Sequence, residues 1–562
     1  MTEQADAFRA LAGDVLDEYL ERHPEAATQL GDHRFDDRLD DRSAPALDDE
    51  ARWAGQRLRD LAALRLDDLD PADRVDAEIL TNALDLRRFE LEDLREHEWD
   101  PLVANPGTAV YTLLARDFAP LGDRLRSVAG RLGAVPGALE TARGSLGDMP
   151  RVHVETAIGQ FTGTRTLLAT ELERSLAAEP TRRGEVEAVR DDAVAAIDEH
   201  LAWLRSRLES VDRDPRLGAE TYSRKLALTL DTASDADAVL ARAEDDLALV
   251  EERIAETAAR LDDGDEHGRV RRVLDRLASE APVDDDTIVG LCEQAMAETT
   301  RFVRDRDLVT VHDDPVEIIV MPEIHRGVAV AYCDPPGPLE TSPLPTYFAV
   351  SPTPADWSEE RVASFFREYN AHMLQNLTVH EAMPGHVLQL AHNSRYAAAV
   401  PVRKALWSGP FVEGWAVYAE ELMVEAGYRA DHGSADALRM HQLKMALRMT
   451  INAILDARVH AHGMTEDEAM RLMMERGHQE DGEAAGKWRR SLLTSAQLST
   501  YYVGYVEVRD IATDLSAARP KTPVRQRHDA MLAHGSPPPR HLRSLLGLSS
   551  RSQTSGRAAG SL

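Results

Sequence analysis

Apolar residues recur at helical spacing through most of the first 300 residues, and this periodicity limits the fold more than any other feature. Phe8, Leu11, Val15 and Tyr19 fall on one helix face. Val239, Ala243, Leu247, Val250, Ile254, Ala258 and Leu261 do so over more than six turns, behind a capping Ser234 or Asp235. The opposite faces carry dense Asp, Glu and Arg, as solvated helix surfaces do. Such a chain predicts a mainly α protein. At 43% hydrophobic and 29% charged residues it has apolar material for sizeable cores.

The texture changes near residue 313. Val316–Met321, Gly327–Cys333 and Thr346–Val350 are rich in Val, Ile, Ala and aromatics and read as strands, with the Pro-rich turn Pro335–Pro345 between the last two. The helical pattern resumes at a capping Ser358. The 562-residue length alone suggests about three to four domains. The motif map favours a helical part over 1–312 and a metal-site part over 313–546, forming one continuous unit, with a disordered tail over 547–562.

Charge narrows the partners. With 98 acidic against 65 basic residues the net is −33, which excludes polyanions, so neither nucleic acid nor an anionic membrane is an expected partner. Two cysteines fit a reducing compartment. No signal-peptide pattern or long apolar run is visible, so a soluble, cytoplasmic protein is expected.

The segment His380-Glu381-Ala382-Met383-Pro384-Gly385-His386 carries the chemistry. In a helical H-E-x-x-H, two imidazoles one turn apart chelate zinc, and the Glu acts as general base on a metal-bound water. Here the second His is six residues on. On an ideal helix that step is a turn of about 240°, so the two rings cannot share a metal without a distortion. Pro384 and Gly385 supply one: a two-residue bulge swings His386 back towards His380. Glu413 lies 27 residues beyond His386, far enough for a second helix to bring a third ligand. Two His and one carboxylate with an open position make a catalytic Zn²⁺ site. Glu420, two turns after Glu413, can hold a ligand imidazole from behind.

HEAMPGHVLQ followed by FVEGWAVYAE resembles the bacterial proteins grouped as domain of unknown function 885, which are considered zincin-like metallopeptidases. The resemblance extends through Glu21–Asp41, Ala331–Pro338, Leu455–Ala469, Ala496–Gly504 and His528–Leu542. EGWAVYAE is also similar to the segment of the aminopeptidase N family whose Glu is the third zinc ligand, which supports Glu413 over Glu420 or Glu421. The resemblance implies a large helical zincin-like fold with a small sheet beside the metal-binding helix. It implies His380, His386 and Glu413 as ligands and Glu381 as base. It further implies Tyr501 or His460 as catalytic donors to an oxyanion, with Tyr502 beside them; Arg490 matches a family Arg and can either bind a substrate carboxylate bidentately or pair with one of the chain's many acids. In zincins an edge strand takes up extended peptide; GVAVAYC or TYFAV is the candidate.

The expected activity is hydrolysis of a peptide or small amide. Two other readings share the ligand set: a non-haem Fe(II) enzyme, against which Glu381 argues, and a non-catalytic peptide-binding protein that keeps the fold.

Overall fold

The helix Ala236–Leu261 forms as its pattern requires. Asp235 caps it by accepting from Ala238 N, and Val239, Ala243, Leu247, Val250, Ile254 and Ala258 are buried. The same logic repeats along the chain, and the computed structural model, which describes residues 3–321, 330–354 and 357–549, is mainly helical with one small sheet. Among the described residues no helix is long and apolar enough to cross a membrane. Residues 550–562 of the expected disordered tail lie outside the described residues.

The chain divides into two compact units. The first takes Met1–Pro215 with two later insertions, Pro336–Leu344 and Ala399–Ala405. Each insertion is fastened by specific contacts. Gly337 lies on Leu30 and Gly31, where an added Cβ would come within 2.4 Å of the Leu30 carbonyl carbon. His33 bridges Asp36 and Glu340 at 3.0 and 2.8 Å. Arg403 pairs with Asp76 at 2.6 Å, both side chains buried.

The second unit holds the sheet and the helices that matter for chemistry. The strands β1 (Val316–Val320), β2 (Ala331–Asp334) and β3 (Thr346–Val350) are ordered β1-β3-β2. β1 runs parallel to β3, pairing Val316 with Thr346, and β2 runs antiparallel, pairing Cys333 with Phe348. TYFAV is therefore the central strand and cannot be the peptide-binding edge; β2 is an edge. Gly327–Ala329 of the expected strand GVAVAYC lie outside the described residues. Phe348 and Val350 face a core shared with Met373, Leu374 and Trp415.

Six helices frame the site: α1 (Ala371–Glu381), α2 (His386–Arg395), α3 (Gly409–Glu425), α4 (Ala435–His462), α5 (Asp481–Leu493) and α6 (Ser499–Ala518). α3 and α6 cross at glycine. A Cβ on Gly414 would lie 2.2 Å from the Gly504 carbonyl carbon, and one on Gly504 2.0 Å from the Pro410 oxygen. No residue larger than glycine allows this approach, and it draws Tyr501, one turn before Gly504, towards Glu413.

α6 also carries a buried acid with a consequence for stability. Glu507 accepts from Thr232 Oγ1 at 2.7 Å, but its Oε2 is buried without a partner. Burial chiefly, with Asp510 and Asp231 nearby, pushes its pKa up from 4.5 to about 7. The native state thus keeps a proton that the unfolded chain releases near pH 4.5. Stability falls as pH rises from about 4.5 to 7, by at most about 3 kcal/mol. Glu507→Gln should match the wild type in urea denaturation at pH 4.5 and be the more stable by about 1–3 kcal/mol at pH 8. Equal stabilities at pH 8 would contradict the assignment.

Candidate metal centre

α1 starts at Asn370, whose side chain accepts from His372 N and Met373 N. It runs regularly to Glu381 and then loops out. Gly385 N donates to Val379 O at 2.9 Å, and Leu388 N to Ala382 O at 3.3 Å. Both bonds join residues six apart where a helix joins residues four apart, so two extra residues are accommodated before α2 resumes at His386. The backbone at Gly385 has φ −76° and ψ −129°. A Cβ there would sit 1.8 Å from the His380 carbonyl oxygen, so the position admits only glycine. Trp415 on α3 is fully buried and donates from Nε1 to Pro384 O at 2.8 Å, fixing the loop against the helix that carries Glu413.

This path brings the two imidazoles together, with ring centres 4.8 Å apart and planes at 90°. Glu413 Oε2 lies 3.5 Å from His380 Nε2 and 3.5 Å from His386 Nε2. The three ligand atoms lie within 4.8 Å of one another, and among the described residues no other group of three metal-binding side chains is so close. Glu413 Oε2 is buried and has no hydrogen-bond partner. A separation of 3.5 Å is long for a hydrogen bond but suits a shared ion. Metal–ligand bonds of 2.0–2.2 Å in a tetrahedron put ligand atoms roughly 3.3–3.6 Å apart. The residues present fit a divalent metal. Although burial opposes its charge, the two histidines hold the Glu413 carboxyl well below the ordinary range. Burial likewise opposes charge on His380, but Glu413 and Glu420 raise its pKa well above the usual value.

The surrounding groups orient the ligands. Glu420, 2% exposed, accepts from His380 Nδ1 at 2.8 Å and from Asn376 Nδ2 at 2.6 Å. This fixes the His380 tautomer and leaves Nε2 to the cluster. Glu381 is half-buried, and its Oε2 accepts from Cys333 N on β2 at 3.1 Å. Burial raises its pKa, against the pull of His380 and His386.

The other expected residues separate. Tyr501 is close enough for the charge of Glu413 to help raise its pKa, behind the larger effect of burial, and its hydroxyl accepts from Arg490 Nη2 at 3.3 Å. Tyr502, one residue on, turns away and donates to Asp246 at 2.7 Å, tying α6 to the helix Ala236–Leu261. The structure does not bring His460 to the cluster either. Its Nε2 donates to Ser491 O and Thr494 O, both at 2.9 Å, and its ring stacks on Tyr222. One turn earlier on α4, Asp456 accepts from Ala496 N and Ser499 N at 3.1 and 3.0 Å. His460 and Asp456 thus shape the turn from α5 to α6. Sequence reasoning missed Asp456 and Asn376 and did not assign Trp415 to the loop. The signal for Trp415 was its place two residues after Glu413.

The chain is similar to known proteins over most of its length. A family described as bacterial protein of unknown function, DUF885, matches residues 24–546. A solved structure described as "a putative lipoprotein of unknown function from Shewanella oneidensis" is 28% identical. It covers 96% of this chain and 99% of its own, with a TM-score of 0.81. Another, described as "the putative lipoprotein from Colwellia psychrerythraea", is 16% identical with a TM-score of 0.78 over 97% of this chain and 98% of its own, and it shares the fold. No curated protein matches.

Glu420→Ala leaves the His380 Nδ1–H without its acceptor. It should weaken zinc binding by about 10–100-fold in a chelator competition, with the fold retained by circular dichroism. Unchanged affinity would mean that Glu420 does not support a metal ligand.

Proposed function

The chain belongs to the bacterial family DUF885, and on the cluster of His380, His386 and Glu413 we propose that it is a zinc-dependent hydrolase of peptide or related amide bonds. The observation that supports this most is the spacing of His380, His386 and Glu413 to share one ion, with the half-buried carboxylate of Glu381 next to His380 in the chain. Two imidazoles and a carboxylate are a ligand set of catalytic zinc sites. When bound, the ion supplies Lewis acidity and lowers the pKa of a water.

The chain's own groups do the rest. Glu381 takes a proton from the attacking water and delivers it to the leaving amine, so that the C–N bond breaks as the acyl carbon gains oxygen. Its backbone partner, Cys333 N, fixes the carboxylate while leaving Oε1 to accept the proton. Tyr501 is the donor for charge developing on the carbonyl oxygen. Arg490 donates to the phenol oxygen, so the phenolic hydrogen is left to point at substrate. The substrate is read as an extended peptide lying along β2, the edge strand next to α1. Glu420 holds His380 in place, and Tyr502 and His460 act through the fold.

Glu381→Gln should retain stoichiometric zinc and lower kcat by about 10²–10⁴-fold on a peptide that the wild type cleaves, with KM little changed. Undiminished turnover in the zinc-loaded variant would rule out the general-base role.

A further inference from the structure

Arginines in this acidic chain commonly meet carboxylates: Arg476 pairs with Glu251 at 2.6 Å and Arg395 with Asp314 at 2.7 Å. Arg490 does not. Its Nη2 donates to two neutral oxygens, Gln497 Oε1 at 2.8 Å and Tyr501 Oη at 3.3 Å. Among the described residues no carboxylate lies within ion-pair distance, and neither Nε nor Nη1 has a side-chain or backbone acceptor. Glu483, whose pKa Arg490 helps to lower, is bound by Arg448.

Lys487, one turn before Arg490, is buried, and burial pushes its pKa well down, with Arg448 and Arg490 adding to the effect and Glu483 opposing it. The guanidinium is steadied by side chains whose backbone is itself fixed, since Asp456 holds Ala496 N and Ser499 N on either side of Gln497. A half-buried Arg with open donors in a planar fork is a receptor for a carboxylate. Tyr501, bonded to Arg490, also feels the charges of Glu413 and His380, which puts the receptor near the metal cluster.

We infer that Arg490, steadied by Gln497 and Tyr501, receives the free terminal carboxylate of a peptide substrate, which makes the enzyme an exopeptidase cutting near the C terminus. This inference rests on the hydrolase reading of the metal cluster. A side-chain carboxylate has the same chemistry and is distinguished by the test.

The test uses the full zinc-loaded chain and three peptides of one sequence: the free acid, the C-terminal amide, and an amide ending in Glu. Cleavage is read by mass spectrometry, and binding by calorimetry on Glu381→Gln. The free acid should be favoured over both amides by at least about tenfold in kcat/KM and in affinity, as one charge-assisted fork would give. Arg490→Ala should remove the preference, and Arg490→Lys should restore part of it. Gln497→Glu, which gives Arg490 an internal carboxylate, should abolish it with an unchanged melting temperature. Equal handling of acid and amide, a preference for the Glu-ending amide over the free acid, or a preference that survives in folded Arg490→Ala would overturn the inference. Cleavage without discrimination leaves the hydrolase reading standing. Selective Arg490-dependent binding without cleavage keeps the carboxylate site but overturns the hydrolase reading, and with it the exopeptidase.

Discussion

The hydrogen bond from Gly385 N to Val379 O spans six residues where a helix spans four, and the cluster depends on it. With the ordinary spacing His386 would point away from His380, and no carboxylate could meet both. The loop is possible because Gly385 has no Cβ to strike the His380 carbonyl. It is held because Trp415 reaches from α3 to the Pro384 carbonyl. The same helix presents Glu413 two residues earlier and Glu420 five residues later. One helix thus braces the loop, supplies the third ligand-type side chain and orients the first imidazole.

α3 is positioned in turn by its crossing with α6. The Gly414–Gly504 approach lets two backbones touch, which is why Tyr501 and Glu413 come close enough to feel each other's charge. β2 completes the surround by donating Cys333 N to Glu381. Each element contributes a backbone or side-chain group at a stated atom, and the removal of one leaves a buried polar partner unsatisfied.

The mainly helical fold with a small sheet was legible because amphipathic periodicity is a local property. His380, Glu381, His386, Glu413 and Glu420 were legible as a set because motif spacing and helix geometry are local as well. Contacts between distant segments were not. Gly504 pairs with Gly414 ninety residues away, and nothing local distinguishes it from other helical glycines. His460 and Tyr502 resemble catalytic groups in a linear motif. Their partners, the carbonyls of Ser491 and Thr494 and the Asp246 carboxylate, appear only when the helices pack. Strand order was hidden for the same reason, since TYFAV and AYCD have similar composition but only the latter is an edge. The unit boundary at Pro215 and Arg216 lies in the short polar break 211–218, which reads as one more turn between helices of the same amphipathic pattern.

The central claim is that His380, His386 and Glu413 together bind one divalent ion. Calorimetric titration of the metal-stripped protein with Zn²⁺ tests it most directly. The account predicts one high-affinity equivalent per chain in the wild type and its loss in a folded His386→Ala variant. An unchanged single equivalent in that variant, or no high-affinity binding in the wild type, would contradict it.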